Sequence, residues 1–221
     1  MKIELTKTLD GSHTLYLPAI DEHYHSTFGA IQESAHVFIS SGLHFSGLKK
    51  LEILEVGFGT GLNCYLTLLA GIDSDHTINY HAIEKYPVSP SLLEKLNFFS
   101  YFPSTDPDLF ARLHRGEWNR QLEIYPRFTL HKMEADLLQI NMVDLPGIDL
   151  VYFDAFSPEK QPELWEQIVF ERIFAQMNQG GILVTYCAKG AIRRLLQQVG
   201  FKVDRIPGPP GKREMIRALK N

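Results

Sequence analysis

Residues 51–61 read Leu51-Glu52-Ile53-Leu54-Glu55-Val56-Gly57-Phe58-Gly59-Thr60-Gly61, an apolar run that stops at three glycines. The helical pattern of Leu62 to Leu69 follows directly. Glycines between a strand and a helix let the backbone turn sharply and approach a ligand closely, and the helix N-terminus offers free N–H groups. This stretch therefore predicts a ligand-binding loop at the carboxyl end of the first strand of an open α/β sheet.

Strand and helix patterns alternate from residue 51 onward. Near the C-terminus, Phe201–Ile206 and Glu214–Leu219 are joined by a link too short for a crossover helix, so they predict an antiparallel hairpin. The pattern predicts an α/β fold with a mostly parallel seven-stranded sheet that ends in this hairpin, the sheet plan of the Rossmann-like methyltransferases. The other predicted strands are Ile78 to Glu84, Phe128 to Met133, Ile148 to Asp154 and Ile182 to Tyr186, and the other predicted helices are Ser89 to Leu96 and Glu163 to Met177.

The sequence pattern predicts two parts: a small β/α lead-in over residues 1–48 and a Rossmann-like domain over residues 49–221. Leu9-Asp10-Gly11-Ser12 is a hairpin-turn signal between two short strand patterns. Ser26 to Ser40 predicts a helix capped by Ser26 or Thr27. Residues 97–126 form an aromatic, proline-containing insertion to which the pattern assigns no structure.

The composition is that of a globular chain, with 44% hydrophobic and 22% charged residues. No run approaches the roughly 20 apolar residues that span a bilayer, and the N-terminus has no apolar segment of the signal-peptide type. Cys64 and Cys187 are isolated in apolar surroundings, which argues against a disulfide framework. We therefore predict a cytoplasmic protein with no membrane partner.

Charge is unevenly distributed along the chain, although the net charge is only −4. Residues 186–221 carry nine Lys and Arg against Asp204 and Glu214, so this tail has a charge of +7 and the remainder −11. The asymmetry predicts an anionic partner near the C-terminal end. The alternative is a solvated helix face and a basic edge strand.

Acidic residues occur at three positions that suit one cofactor. Glu55 would repel a pyrophosphate but would accept from the ammonium group of a methionine moiety, which favours S-adenosylmethionine over a dinucleotide. Glu84 ends the second strand, where it is placed to bond ribose hydroxyls, and Asp136 follows the third, where it is placed to receive the adenine amino group. Helix capping is the alternative role for both, with Asp136 as the cap of a helix over Leu137–Met142.

The fourth strand ends in Asp154-Ala155-Phe156-Ser157-Pro158. Ligands of open α/β sheets lie beyond the carboxyl ends of the strands, so Asp154 and Phe156 should face the transferable methyl group. An acid, an aromatic residue and a proline at this position resemble the motif of methyltransferases that alkylate exocyclic nitrogens. A simple strand-end cap is the alternative for Asp154.

Taken together, these motifs resemble the tRNA 5-methylaminomethyl-2-thiouridine methyltransferase family (MnmC/MnmD type) over about residues 20 to 219. The closing Gly-Lys-Arg-Glu-Met string is the most specific of them, and Ser157 is a departure because the family more usually has alanine there. The resemblance rests on Glu55 to Gly61 with Asn63, Glu84-Lys85, Asp154 to Pro158, Trp165, Gly190 with Arg193-Arg194, and Gly211-Lys212-Arg213-Glu214-Met215.

The resemblance implies S-adenosylmethionine-dependent N-methylation of the aminomethyl group on a modified wobble uridine in tRNA, from 5-aminomethyl-(2-thio)uridine to 5-methylaminomethyl-(2-thio)uridine. In that reaction Asp154 would orient the ammonium group and then accept its proton, and Phe156 would stack on the flipped uracil. It also implies a functional link to the enzymes that make the aminomethyl precursor.

The sequence thus yields two sets of predicted binding residues, besides the catalytic pair Asp154 and Phe156. The cofactor-binding set is Tyr24, Ser26, Glu55, Gly57, Gly59, Gly61, Asn63, Glu84, Asp136 and Asp154, of which Tyr24 and Ser26 are implied only by the resemblance, since the family carries a similar Tyr-x-Ser stretch. The tRNA-binding set is Lys189, Arg193, Arg194, Lys212 and Arg213.

The sequence also allows alternatives to this hypothesis. Glu22, His23, His25 and His36 match no common zinc spacing, so no metal site is predicted. A methyltransferase acting on a small-molecule or protein amine is one alternative, because a fold does not fix the acceptor, but it would not need the basic tail. A catalytically silent tRNA-binding module is another, and the intact acids and glycines argue against it.

Overall fold

The computed structural model describes residues 2–221, and its N-terminal part is a small antiparallel sheet followed by a helix. The turn at residues 9–12 joins the first two strands, as predicted. The strands are β1 (Glu4–Lys7), β2 (His13–Leu17) and β3 (Glu22–His23), and the helix consists of α1 (Ala30–Ser34), a π-helical stretch (Ala35–Leu43) and α2 (His44–Ser46).

The predicted start of this helix at Ser26 or Thr27 is wrong, because the helix begins at Ala30 after Gly29. The Glu33 carboxylate accepts a hydrogen bond from the Ser26 backbone N–H at 2.8 Å, and the Ser26 hydroxyl accepts from the Phe28 N–H at 3.2 Å. These bonds stabilise a turn ahead of the helix. The helix also runs beyond the predicted end at Ser40.

The rest of the chain forms a mostly parallel sheet with helices on both faces. Its strands are β4 (Lys50–Val56), β5 (Thr77–Glu84), β6 (Arg120–Tyr125), β7 (Phe128–Glu134), β8 (Ile148–Phe153), β9 (Met177–Thr185), β10 (Lys202–Pro207) and β11 (Glu214–Leu219), in the spatial order β10-β11-β9-β8-β4-β5-β7-β6. Its helices are α3 (Leu62–Ser74), α4 (Pro90–Leu93), α5 (Asp108–Arg115), α6 (Gln167–Gln176) and α7 (Gly190–Val199). The predicted hairpin is confirmed, since β10 and β11 pair antiparallel with Lys202 opposite Leu219.

The sheet has eight strands, one more than predicted. The additional edge strand is β6, which pairs antiparallel with β7 and comes from the insertion over residues 97–126. Its apolar residues Leu122 and Ile124 alternate with polar ones, and as an edge strand it needs only this weak pattern. The insertion also supplies α5 and a 3₁₀ turn, whose Phe98 and Phe110 are buried.

Three other boundaries differ from the sequence pattern. The predicted helix over Leu137–Met142 is absent from the described chain, and the Arg172 guanidinium instead donates hydrogen bonds to the carbonyls of Leu137, Leu138 and Ile140. The predicted helix over residues 163–177 divides into a 3₁₀ turn (Pro162–Trp165) and α6. The predicted helix over residues 89–96 is reduced to α4, and β9 starts ahead of the two glycines at residues 180 and 181.

The sheet separates two apolar cores. Leu51, Ile53 and Tyr152 face the core formed with the residue 30–46 helix, α3 and α5, while Val151 and Phe153 face the one formed with α6 and α7. Alternate residues of one strand therefore serve opposite faces. With the sheet covered on both sides, the carboxyl ends of β4, β5, β7, β8 and β9 meet at one open edge. Among residues 2–221, no helix combines the length and apolar character that a bilayer crossing requires.

Candidate active site

A cleft of about 1010 Å³ lies at this carboxyl edge. Its walls come from the N-terminal segment, the glycine loop, the ends of the parallel strands and the turn of the final hairpin. Of the predicted site residues, those that line the cleft are Tyr24, Ser26, Gly57, Gly59, Asn63, Glu84, Asp136, Asp154, Phe156 and Lys212.

The glycine loop approaches the end of β8 so closely that side chains are excluded. Gly57 has φ +87°, and a Cβ atom there would lie 2.7 Å from the Asp154 carbonyl oxygen. A Cβ atom at Gly59 would lie 3.0 Å from the Tyr24 ring. Gly61, behind the cleft wall, is the left-handed residue that starts α3. The backbone of this loop is thus the cleft surface itself.

Beneath the loop, one amide joins the buried carboxyl group of Glu55 to the partly buried carboxyl group of Asp154. The Asn63 Nδ2 group donates to Glu55 Oε1 at 2.9 Å and to Asp154 Oδ2 at 2.8 Å. Glu55 is fully buried, and its Oε2 atom has no partner of good hydrogen-bond geometry within the described chain, with the Tyr80 hydroxyl as a polar neighbour. Burial raises the pKa of Glu55 well above its ordinary value, and the nearby Asp154 raises it further. A buried oxygen without a donor is a place where a cationic or hydroxyl-bearing ligand gains a hydrogen bond.

Asp154 lies directly after β8 and faces the same cleft. Burial raises its pKa from 3.8 to about 7, and the nearby Glu33 adds to the rise, while Asn63 and Lys212 oppose it. Asp154 is therefore close to half ionised at neutral pH, which suits a group that exchanges protons.

The two acids predicted for the adenosine side have different partners. Glu84 accepts from the backbone N–H groups of Gly59 at 3.0 Å and Tyr86 at 2.8 Å, so it ties the glycine loop to the end of β5. Burial raises the pKa of Glu84. Asp136 forms a 2.9 Å ion pair with Lys85, which lowers the pKa of its carboxyl group, and it accepts from the Leu138 N–H at 2.9 Å.

The loop after Asp154 is fixed by contacts on several sides. The Phe156 ring meets the Tyr24 ring edge to face at 5.2 Å between centroids. Its backbone N–H donates to Gln161 at 3.2 Å, and its carbonyl accepts from the Trp165 indole at 2.8 Å. The Ser157 hydroxyl donates to Glu22 at 2.9 Å. Phe156 is thus held at the cleft wall, and Trp165 is a buried support beneath it.

Two cleft residues, Glu33 and Tyr186, were missed by sequence reasoning. Glu33, on α1, accepts from Lys212 Nζ at 2.6 Å, and that ammonium lies 4.0 Å from the centroid of the Tyr186 ring. The Tyr186 hydroxyl donates to the Ala155 carbonyl at 2.9 Å. No local motif signals these roles, because residue 33 and residue 212 lie 179 positions apart.

The predicted tRNA-binding residues lie in different surroundings. Arg194 and Arg213 are exposed, and Lys189 forms an ion pair with Glu159. Arg193 is partly buried, and its Nε atom is without a hydrogen-bond partner among residues 2–221. Lys212 alone of the five lines the cleft.

No group of three or more potential metal ligands is present in the described part of the chain.

His25 connects the N-terminal sheet to the glycine loop. Its Nδ1 lies 3.1 Å from the Thr14 hydroxyl and its Nε2 lies 3.1 Å from the Thr60 hydroxyl. Burial lowers the pKa of His25 from 6.5 to about 4, against a smaller raising effect of Asp10. Burial therefore favours the neutral ring in this bridge.

Acidification should weaken this connection. Between about pH 6.5 and pH 4 the unfolded chain binds a proton at His25 and the folded chain does not. The contribution of the neutral His25 to the free energy of unfolding, about 3 kcal/mol, is therefore present above pH 6.5 and is lost as the pH falls to about 4. Urea unfolding at about pH 7 and pH 4.5 should show a smaller acid-induced loss for His25→Asn than for wild type. The exposed His44→Asn variant should match wild type, and equal losses in all three proteins would contradict the assignment.

Residues 114–221 match a family model described as S-adenosyl-L-methionine-dependent methyltransferase. Two similar proteins are both named tRNA 5-methylaminomethyl-2-thiouridine biosynthesis bifunctional protein MnmC. The one from Cupriavidus necator is 32% identical, over 92% of this chain and 32% of the relative. The one from Ralstonia nicotianae is 30% identical, over 96% of this chain and 34% of the relative. The chain thus spans about a third of the length of these relatives.

Solved structures agree with this relationship. The crystal structure of MNMC2 from Aquifex aeolicus superposes with a TM-score of 0.79 at 27% identity, covering 100% of this chain and 70% of that one. Streptomyces venezuelae DesVI has a TM-score of 0.50 at 11% identity, covering 86% and 92%, and shows the fold alone. The predicted fold class, family and S-adenosylmethionine cofactor are confirmed. Residues 114–221 therefore match the S-adenosyl-L-methionine-dependent methyltransferase family, and the chain as a whole is similar to a segment of the MnmC proteins and to MNMC2.

Proposed function

We propose that this protein methylates the aminomethyl nitrogen of a modified wobble uridine in tRNA, producing 5-methylaminomethyl-(2-thio)uridine from 5-aminomethyl-(2-thio)uridine. The observation that carries the proposal is the partly buried Asp154, with its raised pKa, beside Phe156 in a cleft that continues to the glycine loop. The names of the MnmC relatives support this choice of acceptor.

The cofactor end of the cleft fits S-adenosylmethionine. Glu55 is fully buried and holds Asn63, which lines the cleft; the Asn63 Oδ1 atom has no partner among the described residues, so it would accept from the ammonium group of the methionine moiety. Gly57 and Gly59 present bare backbone to the same cleft, and Glu84 and Asp136 line it as well, on the adenosine side of the proposed complex. When bound, the cofactor supplies a methyl group whose bond to the sulfonium sulfur breaks as the bond to the acceptor nitrogen forms.

At the acceptor end, Asp154 has two tasks. Its carboxylate binds and orients the acceptor ammonium, and one of its oxygens then accepts a proton, which frees the nitrogen lone pair for attack. The pKa of Asp154, about 7 instead of 3.8, is closer to that of an alkyl amine, for which the reference value is about 10.4. The smaller difference lowers the free-energy cost of proton transfer from the amine to Asp154 by about 4 kcal/mol. Holding the nitrogen in line with the methyl group should supply much of the remaining acceleration.

The direct test is methyl transfer to tRNA in vitro. The purified protein would be incubated with S-adenosylmethionine and tRNA that carries 5-aminomethyl-(2-thio)uridine, and the digested nucleosides would be analysed by mass spectrometry. We expect one added methyl group on this nucleoside and none on tRNA that lacks the aminomethyl group. Methylation of free amines or proteins, with tRNA left unchanged, would contradict the proposal and favour the small-molecule or protein alternative.

The same proposal has consequences for the setting of the reaction. The aminomethyl group must exist before it is methylated, so we infer a functional link to the enzymes that make this precursor. We also place the reaction in the cytoplasm, where tRNA is modified. The division into a lead-in over residues 1–48 and a domain over residues 49–221 stays a prediction, and residues 22–28 of the lead-in contribute to the cleft wall.

Arg194 and Arg213, two exposed arginines of the basic tail over residues 186–221, should bind tRNA phosphates. Phosphate contacts give affinity without reading sequence, and removal of one such contact to a single-stranded loop should reduce the slope of log affinity against log salt by about 0.7. We expect the double variant Arg194→Ala, Arg213→Ala to bind tRNA more weakly, with a slope about 1.4 shallower and unchanged S-adenosylmethionine affinity. Filter binding at several salt concentrations would measure both tRNA quantities.

A matched control uses two exposed lysines at the opposite, amino edge of the sheet. The Lys50→Ala, Lys202→Ala variant removes the same charge and should keep the wild-type slope. If both double variants weaken tRNA binding equally, net charge is responsible, and Arg194 and Arg213 have no specific docking role.

A further inference from the structure

An ion pair spans the acceptor end of the cleft. Lys212, in the turn of the final hairpin, donates to Glu33 on α1 at 2.6 Å, and both side chains line the cleft with Asp154. The Glu33 side chain is 10% exposed and that of Lys212 33%, so water only partly screens their charges. The second Glu33 oxygen accepts from the Ser26 N–H at 2.8 Å. This carboxylate thus joins the N-terminal segment to the hairpin.

The pair is also connected to the loop that carries Asp154. The Lys212 ammonium lies over the Tyr186 ring at 4.0 Å from its centroid, a cation–π arrangement, and the Tyr186 hydroxyl donates to the carbonyl of Ala155. Ala155 is the residue next to Asp154. The ammonium is therefore held at a defined place beside the catalytic loop, whereas a residue that serves only phosphate binding would extend into solvent.

We propose that Lys212 and Glu33 are positioning residues that act on the charge of Asp154 in opposite directions, Lys212 favouring its ionised form and Glu33 opposing it. The inference deepens the proposed function, because it concerns the carboxylate that receives the acceptor amine. It also gives Lys212 a role inside the active site, in place of the phosphate contact that the sequence predicts.

The charges around Asp154 determine the sign of each effect. Glu55 faces it from β4, Glu33 from α1 and Lys212 from the hairpin, while the hydroxyl of Tyr186, at the end of β9, binds the neighbouring carbonyl. An opposite charge nearby favours the carboxylate and a like charge disfavours it. Removal of Lys212 should therefore raise the pKa of Asp154, and removal of the Glu33 charge should lower it.

These opposite signs make the test specific. The Asp154 carboxyl carbon would be followed by NMR in full-length protein labelled with ¹³C-aspartate, with Asp154→Asn used to assign its signal. We expect the titration midpoint to rise by about one pH unit in Lys212→Met and to fall by a similar amount in Glu33→Gln. Lys212→Arg keeps the charge and should stay near wild type. Arg205→Met, which removes the Arg205–Glu214 ion pair of the same hairpin, should leave the midpoint unchanged.

The acid limb of the pH–rate profile for methyl transfer should move in the same directions, because the carboxylate is the active form. Shifts of the same sign in both variants, or no shift in either, would overturn the proposal, since general damage to the cleft does not produce opposite signs. If Lys212→Met fails to fold, the test still stands on two variants: the titration midpoint should fall in Glu33→Gln and stay near the wild-type value in Lys212→Arg. The titration needs no tRNA, so failure of the proposed reaction and failure of this inference are separate results.

Discussion

Replacement of Asp154 by asparagine should lower turnover by about 10²- to 10⁴-fold, the range associated with loss of a general base. The amide has nearly the shape of the carboxylate and still accepts the hydrogen bond from Asn63, which is 2.8 Å away in the wild type. It neither carries the charge that binds an ammonium group nor accepts its proton. Affinity for S-adenosylmethionine should stay close to the wild-type value, because Glu55 and the glycine loop are unchanged.

Calorimetry with S-adenosylmethionine and single-turnover methyl transfer would measure the two quantities separately. Asp73→Asn, at an exposed position near the end of α3, is the matched control and should behave like wild type. The assignment is wrong if Asp154→Asn loses cofactor affinity while its single-turnover rate survives, because Asp154 would then belong to the cofactor site.

The parts of the site that the sequence predicts are those in which local chemistry dictates residue type. Gly57 is needed where a Cβ atom would meet the Asp154 carbonyl, and this requirement is visible as a glycine after an apolar strand. Asp154 itself stands where a parallel strand ends, and parallel strands open on a common edge. Such positions follow from the strand–loop–helix pattern alone, so the cleft residues on β4, β5 and β8 could be anticipated.

The parts that were missed depend on contacts between distant segments. Glu33 lies within an amphipathic helix, and only the folded chain brings it to Lys212. The sequence after Asp136 predicts a helix, but the structure has a loop there. The backbone carbonyls of this loop accept hydrogen bonds from the Arg172 guanidinium of α6, a contact between segments that lie far apart in the sequence. Edge strand β6 has too few apolar residues to stand out from a loop. In each case tertiary structure supplies what a local pattern cannot encode.

Substitution of Gly57 by alanine should remove cofactor binding more completely than any single side-chain truncation. The left-handed backbone, at φ +87°, costs an L-residue about 1–2 kcal/mol, and overpacking against the Asp154 carbonyl adds about 1–3 kcal/mol. We expect the free energy of unfolding to fall by roughly 2–5 kcal/mol in total. Relief of the 2.7 Å contact must displace either the glycine loop or the end of β8, and both form the cleft.

Gly180→Ala separates the two contributions. Gly180 has φ +78°, close to that of Gly57, but no atom lies within 4 Å of the position that a Cβ atom would take there, so the variant carries the backbone cost alone, about 1–2 kcal/mol. Urea unfolding should therefore rank wild type above Gly180→Ala and Gly180→Ala above Gly57→Ala. Calorimetry should show wild-type S-adenosylmethionine affinity for Gly180→Ala and a loss of at least about tenfold for Gly57→Ala, equivalent to about 1.4 kcal/mol. Equal stability and equal affinity in the two variants would mean that the close approach of the loop to Asp154 is not required, and that the glycine serves only the turn.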